Sequence, residues 1–311
     1  MTATTDIIDF KVETPDGATL HAFKEGHGQP LLLVSGLSGS AAFWSDIAAT
    51  LSRSFQVIRF DQRGIGASTR GEAPCSIDLL AQDSLAVLDA AGVSRAVVLG
   101  HSTGGCIAQA IAKQAPGRLD GLILSASWLK SGRYLNAVFG ARRAILACDP
   151  YAYAAASVLS GYQPRWIEAN WHIYDAAIEA APVSEHARTI TRERLDALLA
   201  FDGTADIDSL MMPVLVLGTR DDMVVPVYHQ EALAAARTVL GEDNVAIAAE
   251  PMTGSEDFAR FLDHVPGCFA YVGNGEGSAP LHNASYDFDD RGLIHGARFH
   301  AGIVRHRLRA G

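Results

Sequence analysis

Cysteine is scarce in this chain. Four are present, Cys75, Cys106, Cys148 and Cys268, and no two form a C-x-x-C pair. That spacing argues against a thiolate metal knuckle and reads as buried free thiols in a reducing compartment. Long apolar runs are missing, so no bilayer-spanning segment is read. Met1 to Phe10 lacks a basic stretch followed by an apolar one. No secretory signal is therefore read, and the cytoplasm is the expected compartment. Positive charge is in deficit, with 25 Lys and Arg against 35 Asp and Glu and a formal net charge of -10. A surface of that sign argues against nucleic acid and anionic membrane as partners and leaves a small-molecule substrate. No internal repeat or low-complexity segment is read. What is there suits a globular protein with a sizeable core: 311 residues, 49% hydrophobic and 19% charged.

Short apolar runs alternate with longer helical patterns, the rhythm of a parallel sheet flanked by helices. Leu31–Val34, Phe55–Phe60, Ala96–Leu99, Leu122–Leu124 and Val214–Leu217 read as buried strands. In open α/β sheets ligands bind at the carboxyl ends of such strands. From Ser127 to about Asp208 no buried strand is read, and Ala, Leu, Arg and Glu dominate at helical spacing. This is a helical insertion, read as a lid over the strand ends. Its Trp128, Trp166 and Trp171 either line a pocket or bind the lid to the core. After about Leu240 the character shifts again. Gly273–Gly277 is a flexible turn and Arg291–Leu308 a final helix rich in Arg and His. The expected fold class is α/β: a mostly parallel sheet with a helical lid at about 128–208, occupying 1–234, then a short α/β tail over 235–311.

Gly100-His101-Ser102-Thr103-Gly104 fits G-x-S-x-G, between a Val-Val-Leu strand and an apolar helix. A sharp strand-to-helix turn lifts a serine hydroxyl clear of a sheet. It brings backbone against backbone, so only tiny residues fit two before and two after. The helix N-terminus then favours developing negative charge. An oxyanion hole needs a second N–H. The loop Ser35-Gly36-Leu37-Ser38-Gly39 follows the first strong strand and can supply it. The N–H groups of Leu37 and Thr103 are the candidates, each worth roughly 3–4 kcal/mol in the transition state. A carboxylate is expected after a later strand. Val214–Gly218 leads into Thr219-Arg220-Asp221-Asp222-Met223-Val224-Val225-Pro226, where Asp221 or Asp222 could orient a histidine.

At these residues the chain resembles the α/β-hydrolase superfamily. Asp61-Gln62-Arg63-Gly64-Ile65-Gly66-Ala67-Ser68 is similar to its D-x-R-G-x-G-x-S loop, and the motifs together span about residues 10 to 230. Within the superfamily the sequence resembles the 3-oxoadipate enol-lactonases and the aminoacrylate (carbamate) hydrolases. Ser35–Gly39, Trp128-Leu129 and Arg220–Pro226 carry the second likeness. The resemblance implies Asp222 as the triad acid, and no cofactor. A serine at the elbow also argues against epoxide hydrolase and dehalogenase chemistry, whose family members carry Asp there. It further implies a G-G-H or G-x-H loop beyond the acid. That loop is missing: Gln230 to Thr253 contains no histidine, and Met252–Glu256 stands in its place.

The tail resembles another family. Gly254–Phe258, Val265–Gly267, Gly273–Gly275, Ala279–Asn283 and Tyr286–Phe288 are similar, in order, to the C-terminal end of the M20 amidohydrolases. There the histidine matching His282 is a metal ligand, but the front-end ligands of that two-metal site have no match here, and no metal is expected. The chain thus reads as a junction of two hydrolase families. If 255–264 is a helix and 269–273 a returning strand, the loop bearing His282 reaches the catalytic edge. His282 is therefore the candidate base, with His229 behind it. The expected function is a serine hydrolase of a small ester, lactone, carbamate or amide. The alternatives are a metal-dependent N-acyl-amino-acid amidohydrolase fragment and a catalytically inactive fusion.

Overall fold

The computed structural model describes residues 7–219, 222–226 and 228–237. Strands β1 (Ile8–Glu13) and β2 (Thr19–Glu25) form an antiparallel hairpin at one edge. Strands β3 (Gln29–Val34), β4 (Phe55–Asp61), β5 (Ala96–His101), β6 (Leu119–Ser125) and β7 (Val214–Leu217) are mutually parallel. The sheet order is β1-β2-β4-β3-β5-β6-β7. The five apolar runs read as buried strands are all strands. The first four lie between layers that bury both of their faces, so they need no polar alternation, whereas β7 is buried at Val214 and half-buried beyond it.

Side chains alternate between two cores, as the strand period demands. Leu32, Val34, Val98 and Leu124 join one cluster with the helices α2 (Ile77–Ala90) and α3 (Thr103–Gln114). Leu31, Leu33, Val97 and Ile123 point the other way, onto Trp44, Ala48 and Leu51 of the segment bearing α1 (Ser45–Leu51).

Residues 127–208 form the helical insertion, with one isolated bridge, Lys130 to Asp202, as their only strand-type pairing among the described residues. It holds α4 (Arg133–Cys148), α5 (Pro150–Gly161), α6 (Pro164–Ala169), α7 (Trp171–Glu179) and α8 (Glu185–Ala200). Local chemistry sets the breaks. Asp149 caps α5 by accepting from the Tyr151 and Ala152 N–H groups, Pro150 and Pro164 open their helices, and Ser184 caps α8 through the Ala187 N–H. Trp128 is fully buried against Phe139 and ties the insertion to the core. Trp166 stacks on Tyr162, and the exposed Trp171 on Tyr174. The last described helix is α9 (Tyr228–Arg237). The tail beyond it, with its expected strand, turn and terminal helix, lies outside the described residues.

Candidate active site

Register brings the site together. Val34 pairs with Gly100, Gly100 with Leu124, and Leu124 with Val216. The four parallel strands end in one row, so the loops after β3, β5, β6 and β7 emerge side by side. Ser35–Gly39, Ser102 and Asp222 sit on three of those loops.

Ser102 occupies the turn between β5 and α3 with φ 55° and ψ −122°. Such a backbone costs a side-chain-bearing residue about 1–3 kcal/mol. Its surroundings enforce it. The Ser102 N–H donates to the Ser125 carbonyl at 2.8 Å, and the Ser102 carbonyl accepts from the Gly105 N–H at 2.9 Å. A methyl on Gly100 would strike the Gly104 carbonyl, and one on Gly104 would strike the Val34 carbonyl. The small residues flanking the serine are thus required by contact. The side chain of Ser102 is half-buried at the N-terminus of α3, whose first N–H groups have no partner within the helix.

The neighbouring His101 points elsewhere. Its Nδ1 lies 3.2 Å from Ser125 Oγ and its ring stacks on Phe43 at 5.2 Å. Burial lowers its pKa, and the Asp222 carboxylate partly offsets that.

The loop after β3 closes as a tight turn, with the Gly39 N–H donating to the Gly36 carbonyl at 3.0 Å. A Cβ on Gly36 would lie 3.1 Å from Ser102 Cβ and 3.5 Å from Ser102 Oγ, so the loop passes directly over the serine. Among the described residues neither the Leu37 nor the Thr103 N–H donates a hydrogen bond. Asp222 Oδ1 accepts from the Val224 and Val225 N–H groups at 2.9 and 2.8 Å. Those bonds fix the carboxylate on its loop. Tyr134 of the lid donates to the Met223 carbonyl at 2.6 Å and pins that loop from above. Asp221 lies outside the described residues.

A family model described as alpha/beta hydrolase fold matches residues 29–146. "Putative carbamate hydrolase RutD" of Azorhizobium caulinodans is 38% identical over 219 residues, covering 70% of this chain and 82% of the relative. The chain belongs to the α/β-hydrolase family. A hydrolase from Pseudomonas aeruginosa PA01 superposes with a TM-score of 0.64 at 27% identity, over 76% of this chain and 88% of that one. The enol-lactonase from Burkholderia xenovorans LB400 shares the fold with a TM-score of 0.61 at 21% identity, over 75% and 85% of the two chains. A second model, described as Peptidase family M20/M25/M40, matches residues 172–306. The described part of that span includes α7, α8, β7 and α9, which belong to the lid and sheet of the α/β-hydrolase.

No described histidine of this α/β-hydrolase hydrogen-bonds to Ser102. His21 sits on the edge hairpin 3.2 Å from Asp9, and His172 and His186 are exposed on the lid. His229, at the start of α9, is buried, with Nε2 unpartnered among the described residues. Burial pushes its pKa down. No hydrogen bond or ion pair joins Asp222 to His229 among the described residues. His282 lies outside the described residues. Among the described residues no three His, Cys, Asp or Glu side chains converge on a metal position. A cleft of about 420 Å³ lies apart from the serine, lined by residues such as Cys75, Gln109, Lys113, Phe201 and Leu210.

Two residues behind the α/β-hydrolase's serine loop carry no role in the motif reading. Gln62 donates from Nε2 to the Ser35 carbonyl at 2.8 Å. Arg194 of α8 donates from Nε to the Leu37 carbonyl at 2.9 Å and from Nη2 to Gln62 Oε1 at 2.6 Å. A signal for Arg194 exists in the sequence: it shares the apolar stripe of α8 with Ile190, Leu195 and Leu198, all buried.

Proposed function

We propose that this chain is a serine hydrolase acting on a small ester, lactone, carbamate or amide through an acyl-enzyme. The observation that carries the reading is the strained turn at Ser102, with the Gly36 loop laid across its hydroxyl. Ser102 Oγ attacks the substrate carbonyl carbon as its proton passes to a histidine. The Leu37 and Thr103 N–H groups receive the charge on the carbonyl oxygen. The histidine returns the proton to the departing alcohol or amine, and water then releases the acid from Ser102. Asp222 orients the histidine, and His282 remains the candidate for that ring. The name of the RutD relative makes a carbamate the first substrate to try.

A fluorophosphonate probe with mass mapping tests this reading. Labelling at Ser102 is expected, abolished in Ser102→Ala and reduced at least a hundredfold in His282→Ala. An unlabelled Ser102 in the parent chain would overturn the nucleophile. Labelling unchanged in His282→Ala would remove that residue and leave the serine standing.

The M20 match favours a second reading, a metal-dependent N-acyl-amino-acid amidohydrolase fragment. Amidase activity that a chelator removes and that survives Ser102→Ala would carry it instead.

A further inference from the structure

Arg194 is a buried cation without a carboxylate. It is 3% exposed, and among the described residues no Asp or Glu lies within ion-pair distance of it. An uncompensated buried charge is costly unless fixed dipoles surround it. Here the dipoles belong to the loop over the serine. Nη2 donates to the Gly36 carbonyl at 3.2 Å and Nε to the Leu37 carbonyl at 2.9 Å. Gln62 completes the frame, accepting from Nη2 at 2.6 Å while donating to the Ser35 carbonyl at 2.8 Å. Gly39, at φ +70°, leaves room for the guanidinium, since a Cβ there would lie 2.8 Å from Nη2.

The peptide joining Gly36 to Leu37 is planar and trans, so its carbonyl and its N–H point in opposite directions. Arg194 holds the carbonyl end of the same peptide whose N–H is the candidate oxyanion donor. A cation on that oxygen fixes the plane of the peptide and polarises the N–H into a stronger donor. The lid helix bearing it thus contacts a loop 157 residues away in sequence.

We infer that Arg194 is the positioning residue of the oxyanion loop, holding the Gly36–Leu37 peptide with its N–H turned to the serine, so that lid and oxyanion hole form one unit. This rests on the proposed role of the Leu37 N–H. It assigns Arg194 no contact with substrate.

The test uses the full chain with Arg194→Met, Arg194→Lys and Arg194→Ala, each checked for folding by circular dichroism. Fluorophosphonate labelling of Ser102 is expected to slow about tenfold to a hundredfold in Arg194→Met, and less in Arg194→Lys. Millimolar methylguanidinium is expected to restore part of the rate in Arg194→Ala, which a purely structural loss would not show. With a chromogenic ester the loss should fall on kcat, leaving KM within about threefold. Amide exchange across residues 35–39 should accelerate while that of β5 does not. A folded Arg194→Met that labels at the parental rate overturns the inference. Should that variant not fold, the same result in Arg194→Lys overturns it. If the parent does not label at Ser102, the nucleophile reading has failed. The exchange at 35–39 then decides the inference alone, and an unchanged exchange overturns it.

Discussion

Ser102 is held where glycine would sit more comfortably. Its φ of 55° with ψ −122° is strained, and α3 and the glycines around it leave no room to relax. Ser102→Gly should therefore raise stability by about 1 kcal/mol in urea titration while abolishing probe labelling. Gly36→Ala should add strain where Ser102→Gly removes it. Its Cβ would sit 3.1 Å from Ser102 Cβ and 3.2 Å from the His101 carbonyl, so the loop or the serine must yield. Labelling should slow about tenfold or more, because sub-ångström displacements at a reacting centre are expensive. A third residue, Asp16, sets part of the acid response. The Arg63 guanidinium, at 2.7 Å, holds its carboxyl well below the usual carboxylate range. A depressed folded pKa gives stability that is whole above the unfolded value, about pH 4, and lost as pH falls towards the folded one. The gap in urea midpoint between the parent and Asp16→Asn should stay constant from about pH 8 to 5 and shrink below about pH 4.

At the scale of elements, the strands were legible and the lid partly so. Runs such as Leu31–Val34 and Val214–Leu217 are short, apolar and bounded by turn residues, which suits strands buried on both faces. The helical rhythm of 127–208 was legible too, from Ala, Leu, Arg and Glu at helical spacing, whereas the helix breaks at Pro150, Pro164 and Ser184 came from the structure. The two uses open to the lid aromatics were not decided by sequence. Trp128 proves to be an anchor, fully buried against Phe139, with an indole N–H that has no acceptor among the described residues. Trp128→Ala should cost about 3–5 kcal/mol in chemical denaturation, and Trp128→Phe much less, since the aromatic volume is largely kept and an unsatisfied donor removed. Arg194 was not legible as a partner of the serine loop. Its place on an apolar stripe flags a buried charge but names no acceptor.

At the scale of the whole molecule, two family models match separate spans of the chain, one residues 29–146 and the other 172–306. The described residues as far as Arg237 carry Ser102, the Ser35–Gly39 loop and the Asp222 loop on one α/β-hydrolase sheet. If His282 is the base, a chain ended after Arg237 keeps Ser102 but loses the group that activates it. Such a chain should fail to form an acyl-enzyme with a chromogenic ester, as read by burst kinetics. A burst equal to that of the full chain would place the base among residues 1–237.

The sequence alone determined what is local. The elbow needs small residues at fixed distances from Ser102, the loop after β3 needs glycines, and buried strands need apolar runs, so each is written within a few adjacent residues. Tertiary structure decided what depends on contacts between distant segments. It set the strand register that lines three loops along one edge and the packing of the His101 ring on Phe43. It also decided that a lid arginine 158 residues from Gly36 grips its carbonyl. The physical reason is that a hydrogen bond across the fold is chosen by the packing of whole elements, which no short stretch of sequence encodes. Ser102 and its two glycine loops could be read in one dimension, whereas the frame that aims them exists only in three.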